Sequence, residues 1–184
     1  ELASAVEAEI QRLGMPGGRF SVQLKPAAEG EYTPYGLEQV EFLVSANPGQ
    51  PLRPLAKVAS GGELSRISLA IQVITAQTSR VPTLVFDEVD VGIGGPTAEI
   101  VGQLLRRLGE RGQVLTVTHL PQVAAQGHHH LFVHKARGTD ETRTAVTELD
   151  QAGRVEEIAR MLGGVDLTEQ SLAHARQMVT SAQA

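Results

Sequence analysis

The chain has 184 residues, of which 41% are hydrophobic and 20% charged, a composition typical of a globular domain. It contains no cysteine, which excludes a disulfide scaffold, a cysteine zinc site and a thiol nucleophile. The formal net charge is −5 and only 3% of the residues are aromatic, so the composition argues against an autonomous nucleic-acid binder, which would need a basic patch or stacking rings.

The distribution of apolar residues argues against membrane association. No apolar run reaches the length of a membrane-spanning helix, and the first residues lack the pattern of a secretory signal peptide. We therefore expect a protein of the reducing cytosol that has no membrane partner.

The first third of the chain predicts a helix followed by an antiparallel strand unit. Apolar residues recur three and four apart over residues 1–13, which predicts a helix. Apolar and polar residues alternate over 19–25 and again over 37–46, which predicts two strands joined by a loop at 26–36. The proline-rich segment 47–59 predicts an extended connection.

The middle of the chain alternates between helical and strand patterns. Helical spacing of apolar residues predicts helices over 62–78 and 96–108. Short apolar runs predict buried strands over 83–86 and 114–118, and Pro121 begins a further helix. This alternation is typical of parallel strands in an α/β fold.

The last part predicts two strands and two helices, at 131–135, 144–149, 155–162 and 168–181. Asp166 and Glu169 stand in capping positions for the second helix. The predicted fold class is therefore α/β, with a mostly parallel sheet flanked by helices and the antiparallel unit beside it.

Two carboxylates, Asp87 and Glu88, directly follow the predicted strand at 83–86. The carboxyl edge of a parallel sheet is where α/β proteins bind their ligands. In nucleotide hydrolysis one carboxylate can hold Mg²⁺ and the next can polarise the attacking water. Two acids can also simply begin a loop, so this pair alone leaves both interpretations open.

The residues Ser60, Gly61, Gly62 and Glu63 stand where a helix is predicted to begin. Ser60 and Glu63 have the spacing of a capping box, which starts a helix without any ligand. Two glycines at a helix N-terminus also leave N–H groups accessible at its positive end, where phosphate oxygens bind favourably.

His119 follows the predicted strand at 114–118. Parallel pairing would bring it to the same edge as Asp87 and Glu88, where a neutral imidazole can donate to a phosphate or orient a water. A single loop histidine often has no such role. The convergence of three signals on one edge is what favours a functional site.

In this order, the segments resemble the second half of an ABC-type ATPase head. Residues 59–63 are similar to the signature motif and 84–88 to Walker B with its catalytic glutamate, while Asp90 matches the D-loop and His119 the switch histidine. Longer matches resemble the RecN family, which are SMC-like ATPases of bacterial DNA repair; they lie at 60–66, 86–93 and 117–124. Transporter ATPases are less similar. Gly94 stands where serine is commoner in the RecN family.

The resemblance to this family implies ATP and Mg²⁺ as cofactors. Heads of this type dimerise with ATP between them, so the residues contacting the nucleotide of the opposite protomer would be Ser60, Gly61, Gly62 and Glu63. Asp87 would hold Mg²⁺ through water, and Glu88 would be the general base. His119 would sense the γ-phosphate, and Asp90 would couple the two sites across the dimer.

The sequence departs from a complete ATPase in one respect. It contains no Gly-x-x-x-x-Gly-Lys-Ser/Thr, and none of its three lysines follows a glycine, so it lacks the loop that cradles the β- and γ-phosphates. In RecN-like proteins that loop lies in an N-terminal lobe beyond a long coiled coil. The resemblance therefore implies that 1–13 is the end of the coiled-coil helix and that 14–184 is the C-terminal lobe.

The same resemblance implies the partners of the chain. They are the N-terminal lobe of the same protein, a second head in an ATP-sandwiched homodimer, and DNA bound by the complete, nucleoid-associated protein. We expect the chain alone neither to bind ATP tightly nor to hydrolyse it. Two alternatives stay open: a dimerisation module that binds nucleotide without turnover, and the head of another SMC-like ATPase.

Three further features favour structural interpretations. Residues 92–97 resemble a dinucleotide loop, but Thr97 replaces its last glycine and the preceding acids would repel a pyrophosphate. The consecutive histidines 128–130 cannot all face one metal ion, so a solvated turn is expected. Arg66 could serve a phosphate, but pairing with Glu63 three residues away is the simpler expectation.

Overall fold

The computed structural model describes residues 1–34, 36–58, 60–76, 81–137, 142–163 and 167–183. Helices occupy α1 Leu2–Arg12, α2 Gly61–Thr75, α3 Gly95–Gly109, α4 Pro121–Ala124, α5 Gln151–Gly163 and α6 Glu169–Gln183, and a 3-10 turn occupies Leu55–Lys57. Strands occupy β1 Arg19–Pro26, β2 Glu38–Ser45, β3 Arg53–Pro54, β4 Thr83–Phe86, β5 Gln113–Thr116, β6 Leu131–Arg137 and β7 Thr142–Glu148. None of the helices in these ranges combines the length and apolar character needed to cross a membrane.

The predicted antiparallel unit is present as a sheet of its own. β1 and β2 pair antiparallel, with Arg19 opposite Ser45, and the short β3 adds to the other edge of β2. The rings of Phe20 and Phe42 pack at 5.5 Å between centroids on one face of this sheet. α1 ends before it because Gly14 takes a φ of 82°, a conformation that glycine adopts without a steric penalty.

The predicted parallel pairing joins β4 to β5. Thr83 lies opposite Gln113 and Phe86 opposite Thr116, and α3 forms the crossover between the two strands. In the described residues parallel pairing is limited to these two strands, because β1–β3 and β6–β7 form separate antiparallel sheets. Strands that follow each other through short connections pair antiparallel, whereas parallel pairing needs a long crossover.

The expectation that β4 and β5 are buried is correct for one face only. Phe86 is buried in the core, whereas Val85 is 68% exposed and Leu115 is 43% exposed. Val117, just beyond β5, is 64% exposed. Successive side chains of a strand face opposite sides, and the helices of the described residues cover one side of this pair. The other face is apolar and open.

Two apolar clusters hold the helices in place. The main cluster joins α1, α2, α3 and the first strands around residues without solvent exposure, among them Val6, Ile10, Ile67, Val101 and Leu104. α1 is thus part of the main core. A second cluster joins α4, α5 and α6 around Ile158, Ala175 and Val179.

Buried Arg154 connects α5 to the segment that follows α4. Its Nη2 donates to the carbonyl oxygens of Ala125, at 2.8 Å, and of Gly127. Arg106 on α3 donates to the carbonyl oxygen of Gln126 at 2.8 Å. Burial, and secondarily the charge of Arg106, lower the pKa of Arg154. These carbonyl groups belong to the C-terminal end of a short helix, where cations bind favourably.

The histidines 128–130 lie in the turn that the sequence predicts. His128 and His129 are exposed, and His129 Nδ1 lies 3.0 Å from a carboxylate oxygen of Glu148. His130 is half-buried, and burial followed by the charge of Arg154 lowers its pKa. In the described part of the chain no three metal-binding side chains are placed to hold an ion.

The cap of α6 differs from the prediction. Thr168 Oγ1 accepts a hydrogen bond from the Ser171 N–H at 3.1 Å, so Thr168 precedes the helix as its cap. Glu169 is the first residue of α6. Asp166, the other predicted capping residue, lies outside the described residues, as do Ala59 and Gly164.

α2 packs directly on the segment that follows β4. Ser65 Oγ donates to the carbonyl oxygen of Asp87 at 2.9 Å, and Arg66 Nη1 donates to that of Val91 at 2.8 Å. The hydrogen bond of Arg66 thus goes to backbone and not to Glu63, the partner that the sequence predicts. Burial lowers the pKa of Arg66, and the charge of nearby Glu63 partly offsets this effect. A Cβ added at Gly62 would lie 2.8 Å from the Val91 carbonyl oxygen, so the helix approaches this segment closely.

We expect Gly62→Ala to lower the free energy of unfolding by about 1–3 kcal/mol, because the new methyl group would overlap backbone that cannot easily move. Gly61→Ala is the matched control. Its methyl group would meet only the carboxylate of Glu88, which can rotate away, so we expect a change within about 0.5 kcal/mol. Urea denaturation of both variants measures the difference, and equal stabilities would contradict the close packing of α2.

We expect Arg154→Lys to lower the free energy of unfolding by about 2 kcal/mol or more, because one ammonium group cannot satisfy the several carbonyl groups that the guanidinium binds. Arg160→Lys on the same helix is the control. Arg160 is exposed and pairs with Glu157, so its replacement should change stability by at most about 0.5 kcal/mol. Thermal or urea unfolding of the two variants gives the comparison.

Candidate functional site

The parallel strands bring the predicted site residues to one edge. Asp87 and Glu88 directly follow β4, and the N–H of Val117, just past β5, donates to the Phe86 carbonyl oxygen at 3.0 Å. The pairing thus continues one residue beyond the end of β5. His119 follows two residues later and contacts the β4 segment through Asp90. The sequence-based placement of the two acids and the histidine on one edge agrees with the structure.

The start of α2 lies at the same place. Ser60 is the N-cap of the helix, and its Oγ accepts a hydrogen bond from the Glu63 N–H at 3.3 Å. Half of the predicted capping box is therefore formed. Among the described residues, the N–H groups of Gly61 and Gly62 have no hydrogen-bond partner. They add their dipoles to the positive end of the helix, where an anion is stabilised.

Glu88 lies against this helix start within the same chain. Its Oε2 would be 2.5 Å from a Cβ built on Gly61, so the carboxylate reaches the first turn of α2 through the space that glycine leaves. Sequence reasoning assigned the helix start to the nucleotide of a second copy and missed this contact. The glycine and the acid could not be paired from their positions in the sequence, which are 27 residues apart.

The backbone of Glu88 is unusual. Its φ is 58°, and it is the one non-glycine residue with positive φ in the described part of the chain. For a residue with a side chain this conformation is unfavourable by roughly 1–2 kcal/mol. Its N–H donates to Asp87 Oδ1 at 2.9 Å, and its carbonyl oxygen accepts from Val91 at 3.2 Å. Strained backbone of this kind concentrates at functional sites.

Asp87 fits the needs of a magnesium ion held mainly by phosphates. Its side chain is exposed, and one of its oxygens is engaged only by the adjacent Glu88 N–H. Mg²⁺ retains several waters and commonly takes one or two protein carboxylates when phosphate oxygens complete its shell. Asp87 supplies one such carboxylate.

Asp90 points into its own chain. Only 2% of the residue is exposed, and its Oδ2 accepts from Thr118 Oγ1 at 2.5 Å and from the His119 N–H at 3.1 Å. The Nδ1 atom of His119 lies 3.3 Å from the same oxygen, while 68% of the His119 side chain is exposed. The Nδ1 side of the His119 ring thus contacts Asp90, while most of the side chain is open to solvent.

Sequence reasoning missed three residues that position the site. Ser65 and Arg66 attach α2 to the segment after β4, and Thr118 binds the carboxylate of Asp90. Serine and arginine on a helix have no spacing that distinguishes a backbone contact from an exposed position. Thr118 precedes the candidate histidine, but only the pairing of β4 with β5 brings it to Asp90.

The chain was compared with known proteins. No family model matches it. It is 54% identical over 182 residues to the DNA repair protein RecN of Vibrio cholerae, an alignment that covers 99% of this chain and 33% of that protein. It is 52% identical over 178 residues to RecN of Haemophilus influenzae, covering 97% of this chain and 32% of the relative. RecN of Deinococcus radiodurans is 46% identical over 178 residues, with 97% and 31% covered.

Solved structures show the same fold at low sequence identity. The Smc head domain with a coiled coil and joint from Pyrococcus yayanosii superposes with a TM-score of 0.60 at 18% identity, over 85% of this chain and 28% of that one. A chain from a study of ATP-driven dimerization and DNA-stimulated activation of SMC ATPases gives a TM-score of 0.54 at 15% identity. That alignment covers 90% of this chain and 93% of the other, so the two have nearly the same extent.

The chain spans about one third of the length of the curated relatives that it matches. Over that third the identity extends through nearly all of its own residues, and the fold is that of an SMC-type head. Nearly the whole chain is thus similar to one third of a RecN protein.

Proposed function

We propose that this chain is the C-terminal lobe of the ATP-binding and ATP-hydrolysing head of a RecN-like protein of DNA double-strand-break repair. The observation that carries the proposal is the meeting of Asp87, Glu88, His119 and the start of α2 at one edge of the parallel strands. The relatives are named as DNA repair proteins, and a solved neighbour is described as an SMC ATPase. In the complete protein we expect a cytoplasmic, nucleoid-associated location.

The roles of the residues are those that the resemblance to ABC-type ATPase heads implies. Mg²⁺, when bound, would neutralise charge on the phosphates, and Asp87 would hold it through water. Glu88 would act as general base toward the attacking water. His119, with its exposed ring, would face the γ-phosphate. Ser60, Gly61 and Gly62 would contact the nucleotide held by the opposite protomer, with Glu63 completing the helix cap.

The open face of the parallel strands supports a second lobe as partner. Val85, Leu115 and Val117 form an apolar surface next to the site, and apolar surface of this kind is normally covered in a folded protein. We assign it to the N-terminal lobe of the same protein, which would also supply the phosphate-binding loop that the chain lacks. Residues 14–184 would then be the C-terminal lobe, with 1–13 as the end of the coiled-coil helix.

Engagement of DNA is assigned to the complete protein. The chain carries a formal net charge of −5, which disfavours binding of the DNA backbone by this lobe alone. ATP-sandwiched dimerisation of two heads would place the start of α2 from one copy at the site of the other. The lobe alone would neither bind ATP tightly nor hydrolyse it.

A second candidate is a head that binds nucleotide and dimerises without turnover. The contact of Glu88 with Gly61 favours it, because a carboxylate that stays against its own helix start would not activate a water. The two candidates differ in phosphate release by the two-lobed head, which combines this chain with the N-terminal lobe. Sustained Mg²⁺-dependent release supports the hydrolytic head, and ATP-dependent dimerisation without release supports the module.

In the two-lobed head we expect Glu88→Gln to lower ATP turnover by about a hundredfold or more, because the amide cannot accept the proton of the attacking water. ATP-driven dimerisation should persist, since glutamine has nearly the same shape. Phosphate release and light scattering measure the two properties. Glu99→Gln is the control, because Glu99 is an exposed glutamate of α3 away from the site. Turnover at the parental rate in Glu88→Gln would refute the role of Glu88.

We expect Ser60→Arg to abolish ATP-driven dimerisation of heads while ATP binding to each monomeric head remains. The exposed N-cap position would receive a bulky cation where the second protomer has to approach. Ser181→Arg places the same side chain on an exposed position of α6 and should leave the dimer intact. Light scattering with ATP and Mg²⁺ gives the readout, and a normal dimer yield for Ser60→Arg would argue against a role across the dimer.

A further inference from the structure

Three nitrogen or oxygen atoms of the same chain lie close to the buried carboxylate of Asp90. Thr118 Oγ1 donates to Oδ2 at 2.5 Å and the His119 N–H donates to it at 3.1 Å. The ring Nδ1 of His119 lies 3.3 Å from the same oxygen. The residue is 2% exposed, so these contacts enclose it and leave no surface for a second copy to reach.

The contact with Nδ1 has a chemical consequence for the imidazole. A neutral histidine carries one proton on either ring nitrogen, and the partner of one nitrogen decides which is protonated. An ionised carboxylate can only accept hydrogen bonds, so its charge favours a proton on the ring nitrogen that lies nearest to it. The other nitrogen, Nε2, is then unprotonated in the neutral ring.

We propose that Asp90 is a positioning residue that fixes His119 as the Nδ1–H tautomer and so makes Nε2 a hydrogen-bond acceptor at the candidate site. In this form the neutral ring can accept a hydrogen bond from a water molecule, and it donates to a phosphate oxygen only after Nε2 gains a second proton. The proposal rests on the proposed function for its catalytic meaning. The tautomer itself is a property of the chain alone.

This role differs from the one that the D-loop resemblance implies. That resemblance assigned Asp90 to coupling between two sites across a dimer. The burial of Asp90 and its contacts with Thr118 and His119 place its action inside one protomer. In a purely structural alternative, Asp90 only attaches residues 118–119 to the turn after β4. Contacts of the His119 ring with solvent would then determine its tautomer.

The tautomer is measured by nitrogen NMR on the 184-residue chain labelled with ¹⁵N-histidine, in which the His119→Gln variant identifies the signals of His119 among the six histidines. We expect a protonated Nδ1 and an unprotonated Nε2 in the parent chain. The tautomer is read from the parent chain, and His119→Gln serves only to assign the signals. A parent chain with its proton on Nε2 would overturn the proposal.

Asp90→Asn and Asp90→Ala supply the second measurement. In Asp90→Asn the amide oxygen takes the place of Oδ2, because the His119 N–H can only donate, so we expect Asp90→Asn to keep the Nδ1–H tautomer. Asp90→Ala removes the acceptor, and we expect it to lose the preference for Nδ1–H. Val101→Ala is the control, because it removes apolar contacts of a fully buried core residue without touching the site. It should lose stability and keep the Nδ1–H tautomer. An unchanged tautomer in Asp90→Ala, or the same change in Val101→Ala, would also overturn the proposal.

In the two-lobed head we expect Asp90→Ala to lower kcat for ATP hydrolysis about tenfold or more, with KM for ATP changed less than about twofold. A change confined to KM would contradict the proposal, since a changed tautomer of His119 should affect the hydrolysis step and not the binding of ATP. If the parent head did not hydrolyse ATP at all, the proposed function would fail. The NMR result would still decide whether Asp90 sets the tautomer.

Discussion

The parallel pairing of β4 with β5 determines where every residue of the candidate site lies. In register, Phe86 is opposite Thr116, so both strands end at the same level and release Asp87 and His119 at one edge. The pairing depends on α3, whose fully buried Val101 and Leu104 connect the two strands through the main core. A shift of one strand by one residue would turn its apolar face to solvent and move the acids away from the histidine.

The position of α2 is a second constraint, and it depends on a small residue. Gly62 allows the helix to approach the Val91 carbonyl oxygen, and Arg66 then reaches that oxygen from the next turn. The same approach brings Gly61 beside Glu88. The glycines therefore serve a packing function and leave N–H groups free at the helix start. A phosphate-binding site and close packing of the helix both require residues without a side chain at these two positions.

The sequence predicted the helices and strands of this chain well, because its apolar periods are clear and its turns contain glycine and proline. It also predicted that the two acids and the histidine share an edge, since that follows from parallel pairing alone. It did not predict that Val85 and Leu115 are exposed, because a short apolar run has the same composition whether one face or both are covered. Nor did it predict the partners of Asp90 and Arg66. A buried polar side chain is positioned by three-dimensional packing that no local spacing records.

The four residues after β4 show how one backbone conformation serves two carboxylates. Asp87 and Glu88 are exposed, whereas Val89 and Asp90 are buried, with Val89 at 0% exposure in the main core. The positive φ of Glu88 turns the chain at this point. As a result the Glu88 carboxylate faces the start of α2, and the Asp90 carboxylate contacts His119. Burial of Val89 offsets the unfavourable conformation of Glu88, because leaving the turn would expose an apolar side chain worth about 1.5–3 kcal/mol when buried. The geometry of the site is thus stabilised by a residue that takes no part in its chemistry.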